Sequence, residues 1–225
     1  MKKIAIIAAL EGELKPLVKG WQSQGRNLWV GRIGECDALA VAGGMGAKAA
    51  ERAMDAVFTS QFPDAVVSYG WTGALTCAVK PPTACVISEV VDTVSGERFA
   101  TAHEDGFRLI TLDHVARPDE KRGLAEKYQS VLADMEAATV ARRAAAEGVP
   151  FYCFKAVSDG YNDNLPDFNR FIDANGEMQM ARFVAYAAAH PNYWGVLSRL
   201  GSNSKAAAVA LAELMAGICE QIAVK

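Results

Sequence analysis

With 225 residues, 51% of them hydrophobic and 22% charged, the chain has enough apolar material for a sizeable core and is predicted to form a single domain over residues 1–225. A net charge of -3 offers no basic surplus for nucleic acid or an anionic membrane surface. The first apolar run is broken by Glu11, Gly12 and Glu13 and lacks a cleavage site, so it reads as a buried strand and not as an export signal. No window is long and apolar enough for a membrane span. The cysteines (Cys36, Cys77, Cys85, Cys153, Cys219) form no C-x-x-C pair, which predicts reduced, buried thiols and a cytoplasmic location. His103, His114 and His190 lack ligand spacing, and neither a metal nor an organic cofactor is expected.

In chain order, Lys3–Ala9 is a continuous apolar strand and Glu11–Lys19 a short helix. Leu28–Ile33 and Ala38–Ala42 read as strands around a turn at Gly34–Asp37. Gly43-Gly44-Met45-Gly46 opens a helix from Ala47 to Ser60, and Pro63 follows its end. Ala65–Tyr69 is a strand closed by Gly70-Trp71-Thr72-Gly73. Strands Ala84–Val91 and Arg108–Leu112 flank a polar, hairpin-like stretch, Asp92–Asp105. Asp113–Lys127 reads as loop or short helix, and Ser130–Asp134 as a short strand. Glu136–Glu147 is a helix stopped by Gly148, and Phe151–Val157 a β-branched and aromatic strand. The remainder is helical over Asp167–Phe171, Met178–His190 and Ser204–Ala223, punctuated by Pro191 and Gly201. Alternating strands and helices predict an α/β fold with helices on both faces of a mixed or parallel sheet.

Three constellations bear on chemistry. The glycines of Gly43-Gly44-Met45-Gly46-Ala47-Lys48 would let a ligand reach N–H groups at a helix N-terminus. The stretch lacks both the Gly-Lys-Ser/Thr ending of a phosphate loop and the tail of a dinucleotide fingerprint, and a plain tight turn is the alternative. Ser68-Tyr69-Gly70-Trp71-Thr72-Gly73-Ala74-Leu75 reads as backbone lining a pocket, or as a simple loop. The acids Glu13, Glu136 and Asp159 each follow a predicted strand, where open α/β sheets bind ligands. Singly, the two glutamates would suit helix N-termini and the aspartate a turn.

In this order, Ile-Ala-Ile-Ile-Ala-Ala-Leu-Glu-Gly-Glu, Gly-Gly-Met-Gly-Ala-Lys-Ala-Ala, Ser-Tyr-Gly-Trp-Thr-Gly-Ala-Leu, Asp-Met-Glu-Ala and Ala-Val-Ser-Asp resemble the nucleoside phosphorylase and nucleosidase superfamily. The resemblance is to its methylthioadenosine/S-adenosylhomocysteine nucleosidase type and covers about Lys3–Gly160. It implies a three-layer α/β/α architecture with a central, mixed, twisted sheet. It also implies a purine nucleosidase that cleaves the N-glycosidic bond of a 5′-substituted adenine nucleoside with water. In those terms Glu13 activates water, Met135 and Glu136 bind the ribose, Asp159 protonates the base and Ser158 orients it. Gly44, Met45, Gly46, Trp71, Thr72, Gly73 and Val115 complete the substrate-binding set. The partner implied is a small nucleoside, and the assembly a homodimer or larger homo-oligomer.

The chain departs from that pattern at three places. Trp71-Thr72-Gly73-Ala74 stands where a small Ser-Ala-Gly-Gly stretch is usual, and His114-Val115-Ala116 where an aromatic commonly stacks on the purine. The tail, with Phe168 and Phe171 near a lid and the extra Asn192–Asn203, is similar to hopanoid-associated phosphorylases. A phosphate-dependent phosphorylase of a bulky nucleoside, or a binding protein of the same fold without turnover, are therefore the alternatives. The acidic Ala9–Lys15 segment would repel phosphate and favours water as nucleophile, with Arg26 and Arg32 the cations a phosphate would have to recruit.

Overall fold

A computed structural model of the chain describes residues 2–173 and 175–224. Among these, β1 (Lys3–Ala8) leads through the single-turn α1 (Glu11–Leu14) to β2 (Gln22–Gly25), β3 (Leu28–Ile33) and β4 (Cys36–Ala42). Next come α2 (Ala47–Ser60), β5 (Ala65–Ala74), β6 (Ala84–Asp92), β7 (Arg98–Ala100), β8 (Phe107–Thr111) and α3 (Lys121–Tyr128). The chain continues with β9 (Leu132–Asp134), α4 (Ala137–Ala146), β10 (Phe151–Asp159), a 3-10 turn at Phe168–Phe171, α5 (Met180–Ala189) and α6 (Trp194–Val224). No helix among the described residues is long and apolar enough to cross a membrane.

The mixed sheet runs β10-β6-β8-β9-β5-β1-β4-β3-β2, with β7 on β6 and a further pairing of β10 with β5. That last pairing closes β5, β10, β6, β8 and β9 into a ring, from which β1, β4, β3 and β2 extend. Side chains alternate across it with the period of two that strands impose. Ala5, Ile7, Cys153 and Val157 belong to a core with Ala50, Met54, Val57 and Val140 from α2 and α4. Ile4, Ile6, Ala8, Tyr152, Phe154 and Ala156 pack on the other face with Leu14, Ala207, Leu211 and Met215. Helices thus cover both faces, as the alternating pattern predicts.

Several boundaries differ from the sequence reading, each for a tertiary reason. β5 does not stop at Tyr69: Gly70-Trp71-Thr72-Gly73 is strand, because β10 pairs alongside it out to Asp159↔Gly73 and β9 meets it at Gly73↔Ala133. The exposed β2, Gln-Ser-Gln-Gly, has no apolar alternation and is a strand only through its hairpin with β3. Asp92–Asp105 does form a hairpin, with β7 antiparallel to β6. α6 starts ten residues earlier than expected and passes through Gly201, an exposed position where glycine costs about 1 kcal/mol but does not break a helix held by packing elsewhere. Cys36, Cys85 and Cys153 are buried as expected; Cys77 is exposed, and the side chain of Cys219 lies outside those described.

Candidate active site

The ends of β1, β5, β9 and β10 and the loop before α2 surround one cavity of about 340 Å3. Its wall includes Glu13, Glu136 and Asp159 together with Met45, Trp71, Thr72, Gly73, Val115, Met135 and Ser158. Gly44 and Gly46 are not part of it. Their N–H groups donate to Ala9 O at 2.9 Å and to Glu136 Oε1 at 2.6 Å, so the glycine loop orients a carboxylate instead of offering these amides to a ligand. Among the described residues, no arginine reaches the wall, Arg26 and Arg32 included.

Glu13 is 4% exposed. Its Oε2 accepts the N–H groups of Ala9 and Leu10, both at 2.8 Å, and its Oε1 accepts that of Trp71 at 2.8 Å. A carboxylate offers about four lone-pair positions, so one on Oε1 is left for a water or substrate hydroxyl. The carboxylate lies flat against Gly70, where a Cβ would come within 2.7 Å of Oε1 and φ is +151°. Burial pushes the Glu13 carboxyl above its ordinary 4.5, against the pull of these N–H bonds and of Lys155.

Glu136 sits at the N-cap of α4 and is held by Gly46. Burial and the neighbouring Asp134 charge raise its carboxyl to about 8 from 4.5. Asp134 is itself buried and fully engaged, by Thr111 Oγ1 at 2.7 Å, Ala137 N–H at 3.0 Å and Lys155 Nζ at 2.8 Å. Burial works against the charge on Lys155, but the surrounding acids, Asp134 foremost, hold its ammonium protonated above the usual lysine range. One buried cation therefore sits beneath a cluster of acids.

Asp159 ends β10 with Oδ2 at 3.0 Å from Lys121 Nζ and Oδ1 at 3.1 Å from Ser158 Oγ. Burial pushes its carboxyl upward, and Lys121 opposes this without cancelling it. Trp71 reaches across to Gly12, where a Cβ would sit 3.0 Å from its ring. Val115 also lines the cavity; its N–H donates to Asn169 Oδ1 at 2.7 Å and its C=O accepts the Asn169 amide N–H at 3.2 Å.

The tail adds an apolar stretch of wall, Leu165, Phe168, Met178, Met180 and Leu200, with the polar His114 and Ser204 also at the lining. Phe168 and Phe171 pack on Phe183 with ring centroids 5.3 and 5.6 Å apart, tying the 3-10 turn to α5. Sequence reasoning missed Lys121 and Lys155. Lys155 had a signal, a lone charge inside an otherwise apolar strand; Lys121 lies in a charge run that reads as solvated surface. The strand segment Cys85–Val91 is internal, with Cys85, Ile87, Val90 and Val91 buried. Among the described residues, no group of three or more His, Cys, Asp or Glu side chains is arranged to hold a metal ion.

The family model described as the phosphorylase superfamily matches residues 3–116. No curated protein matches the sequence. Among solved structures, an Arabidopsis thaliana 5′-methylthioadenosine nucleosidase is similar at 16% identity and a TM-score of 0.75, over 100% of this chain and 97% of that one. A Neisseria meningitidis 5′-methylthioadenosine/S-adenosylhomocysteine nucleosidase superimposes at 19% identity and a TM-score of 0.70, over 98% of this chain and 100% of that one. A Helicobacter pylori futalosine hydrolase does so at 15% and 0.71, over 98% of each chain. At such identities the likeness establishes the fold alone.

Proposed function

Because the chain belongs to the phosphorylase superfamily, we propose that it is a purine nucleosidase that hydrolyses the N-glycosidic bond of a nucleoside with an apolar 5′ substituent, adenine being the preferred base. The observation that supports this reading is the convergence of Glu13, Glu136 and Asp159 on one cavity whose wall, among the described residues, has no arginine.

Departure of a purine leaves positive charge on the ribose and negative charge on the base. Glu13, with one lone-pair position unfilled, holds the attacking water and takes its proton as the oxygen bonds to C1′. Glu136, its carboxyl raised by burial and by Asp134, receives the ribose hydroxyls. Asp159, kept in place by Ser158, delivers a proton to N7 as the C1′–N9 electron pair moves onto the base. The apolar wall of Leu165, Phe168, Met178 and Leu200 faces the 5′ substituent and favours an alkylthio group over a bare hydroxyl. Met180 borders the cavity yet is 58% exposed, so a second copy of the chain closing the mouth belongs to the proposal. A monomer by light scattering at assay concentration would remove that part.

The test is base release from adenosine, methylthioadenosine, S-adenosylhomocysteine, inosine and futalosine, each with and without phosphate. Adenine released without phosphate, fastest from methylthioadenosine, is expected. Release only with phosphate would make the chain a phosphorylase, and no release from any of them would leave a binding protein.

A further inference from the structure

Lys121 is buried: its side chain is 3% accessible and its Nζ lies 3.0 Å from Asp159 Oδ2 and 3.0 Å from Gly160 O. α3 carries it, while Asp159 ends β10, so the contact joins elements 38 residues apart at the cavity wall. A buried ion pair is weak evidence for stability, because removing two charges from water offsets most of their attraction. A pair whose members both face a cavity is a better candidate for chemistry.

The surroundings narrow that chemistry. Asp159 Oδ1 is engaged by Ser158, and Asp163 turns away to the backbone N–H of Gly160 at 2.7 Å. Lys121 is thus the only ammonium within hydrogen-bond reach of Asp159 among the described residues. In its ion-paired form the Asp159 carboxylate carries no proton, and the pair as a unit holds one on Lys121.

We infer, resting on the nucleosidase reading above, that Lys121 is a positioning residue that fixes Asp159 and replenishes the proton Asp159 passes to the departing purine. The C1′–N9 bond breaks and its electron pair goes to the base. Starting from the ammonium–carboxylate pair, one proton passes from Lys121 Nζ to Asp159 and, in the same relay, one from Asp159 to N7, which leaves a neutral amine beside a carboxylate. The attacking water forms the new C1′–O bond and gives its second proton to Glu13. Exchange with solvent then discharges Glu13 and reprotonates Lys121, so that water and nucleoside have become purine and free sugar.

The experiment compares two leaving groups on the same 5′-substituted ribose: the purine that the wild type releases fastest, and 4-nitrophenolate, which departs as a stable anion and needs no proton. Lys121→Met is expected to lower kcat for the purine nucleoside by about 100-fold and that for the nitrophenyl riboside by less than about 3-fold, since general acid catalysis contributes on the order of 10²–10⁴ only where a proton is required. Lys121→Arg keeps the charge but not a proton it can release, and is expected to show the same selective loss. Lys121→Gln retains a donor toward Asp159 and Gly160 and decides the matter by the same criterion if the methionine variant is unfolded by circular dichroism. Equal losses on both leaving groups would reduce Lys121 to a structural tie. Wild-type purine release in Lys121→Met, or full rescue by arginine, would overturn proton supply. A wild-type enzyme that releases no base from any nucleoside would refute the nucleosidase reading itself, and this inference with it.

Discussion

Replacing Lys155 by methionine isolates the charge balance beneath the cavity. The Lys155–Asp134 pair is 2.8 Å apart with side chains 3% and 1% accessible, and the lysine also moderates the carboxyls of Glu13 and Glu136. Methionine fills most of the same space, so the perturbation is chiefly electrical. Breaking a buried pair by removing one partner destabilises by about 3–5 kcal/mol, because the remaining charge stays buried without compensation. At about 2–4 °C per kcal/mol for a chain of this size, the melting temperature is expected to fall by roughly 6–20 °C. The loss should also depend on pH. Glu136 already titrates above its unfolded value, at about 8 instead of 4.5, so the folded state binds more protons than the unfolded one between those values. Stability attached to such a group is present below the unfolded value and is lost as pH rises through the folded one. Removing Lys155 raises Glu13 and Glu136 further, so the gap between variant and wild type should widen from pH 5 to pH 8. Urea denaturation across that range measures it, and the double variant Lys155→Met/Asp134→Asn should recover most of the stability. A gap below about 1 kcal/mol, or one that does not change with pH, would refute the account of Lys155 as the counter-ion of the cluster.

Other variants separate stability from activity. Glu136→Gln keeps an acceptor for Gly46 but removes the burial of a charge; it should melt as the wild type does near pH 4 and gain about 1–3 kcal/mol at pH 8, while base release falls on the order of 100-fold. Gly70→Ala places a Cβ against Glu13 Oε1 at a backbone angle that side chains avoid, so kcat should fall at least tenfold with KM little changed; wild-type turnover would mean that Glu13 tolerates displacement. Leu200→Asn puts an amide into the apolar wall and should raise KM for methylthioadenosine about tenfold while leaving that for adenosine nearly unchanged, which steady-state kinetics on both substrates would check.

The fold was largely legible because its strands are apolar on both faces and its helices begin and end on recognisable residues: Gly46 before α2, Gly148 after α4, and the unbroken Ile4–Ala8 run of β1. What escaped was set by distant partners. Gly70-Trp71-Thr72-Gly73 has the composition of a loop, and only β10 and β9 on its two sides make it strand. The polar β2 exists because β3 folds back on it. At the cavity, Glu13, Glu136 and Asp159 were visible as acids after strands, whereas Lys121 looked like part of a solvated Asp-Glu-Lys-Arg run until α3 turned it inward. The glycine loop, which the sequence left open between ligand-facing amides and a tight turn, gives the N–H of Gly46 to Glu136.

The same charges bear on the choice between water and phosphate as nucleophile. Glu13, Asp134, Glu136 and Asp159 surround the cavity, and the lysines at its wall and floor, Lys121 and Lys155, are already paired with Asp159 and Asp134. At an effective dielectric near 20, each of these carboxyls that is ionised repels an anion 4 Å away by about 4 kcal/mol, roughly a thousandfold in affinity. A phosphate seated to attack C1′ would have to take the place beside Glu13, where the donors in reach are three backbone N–H groups already given to that carboxylate. A water molecule bears no such penalty and gains in Glu13 an acceptor for its proton. Phosphate is therefore expected to leave the initial rate of base release unchanged at constant ionic strength, and a rate that rises and saturates with phosphate would show that the cavity recruits a cation from outside its present wall.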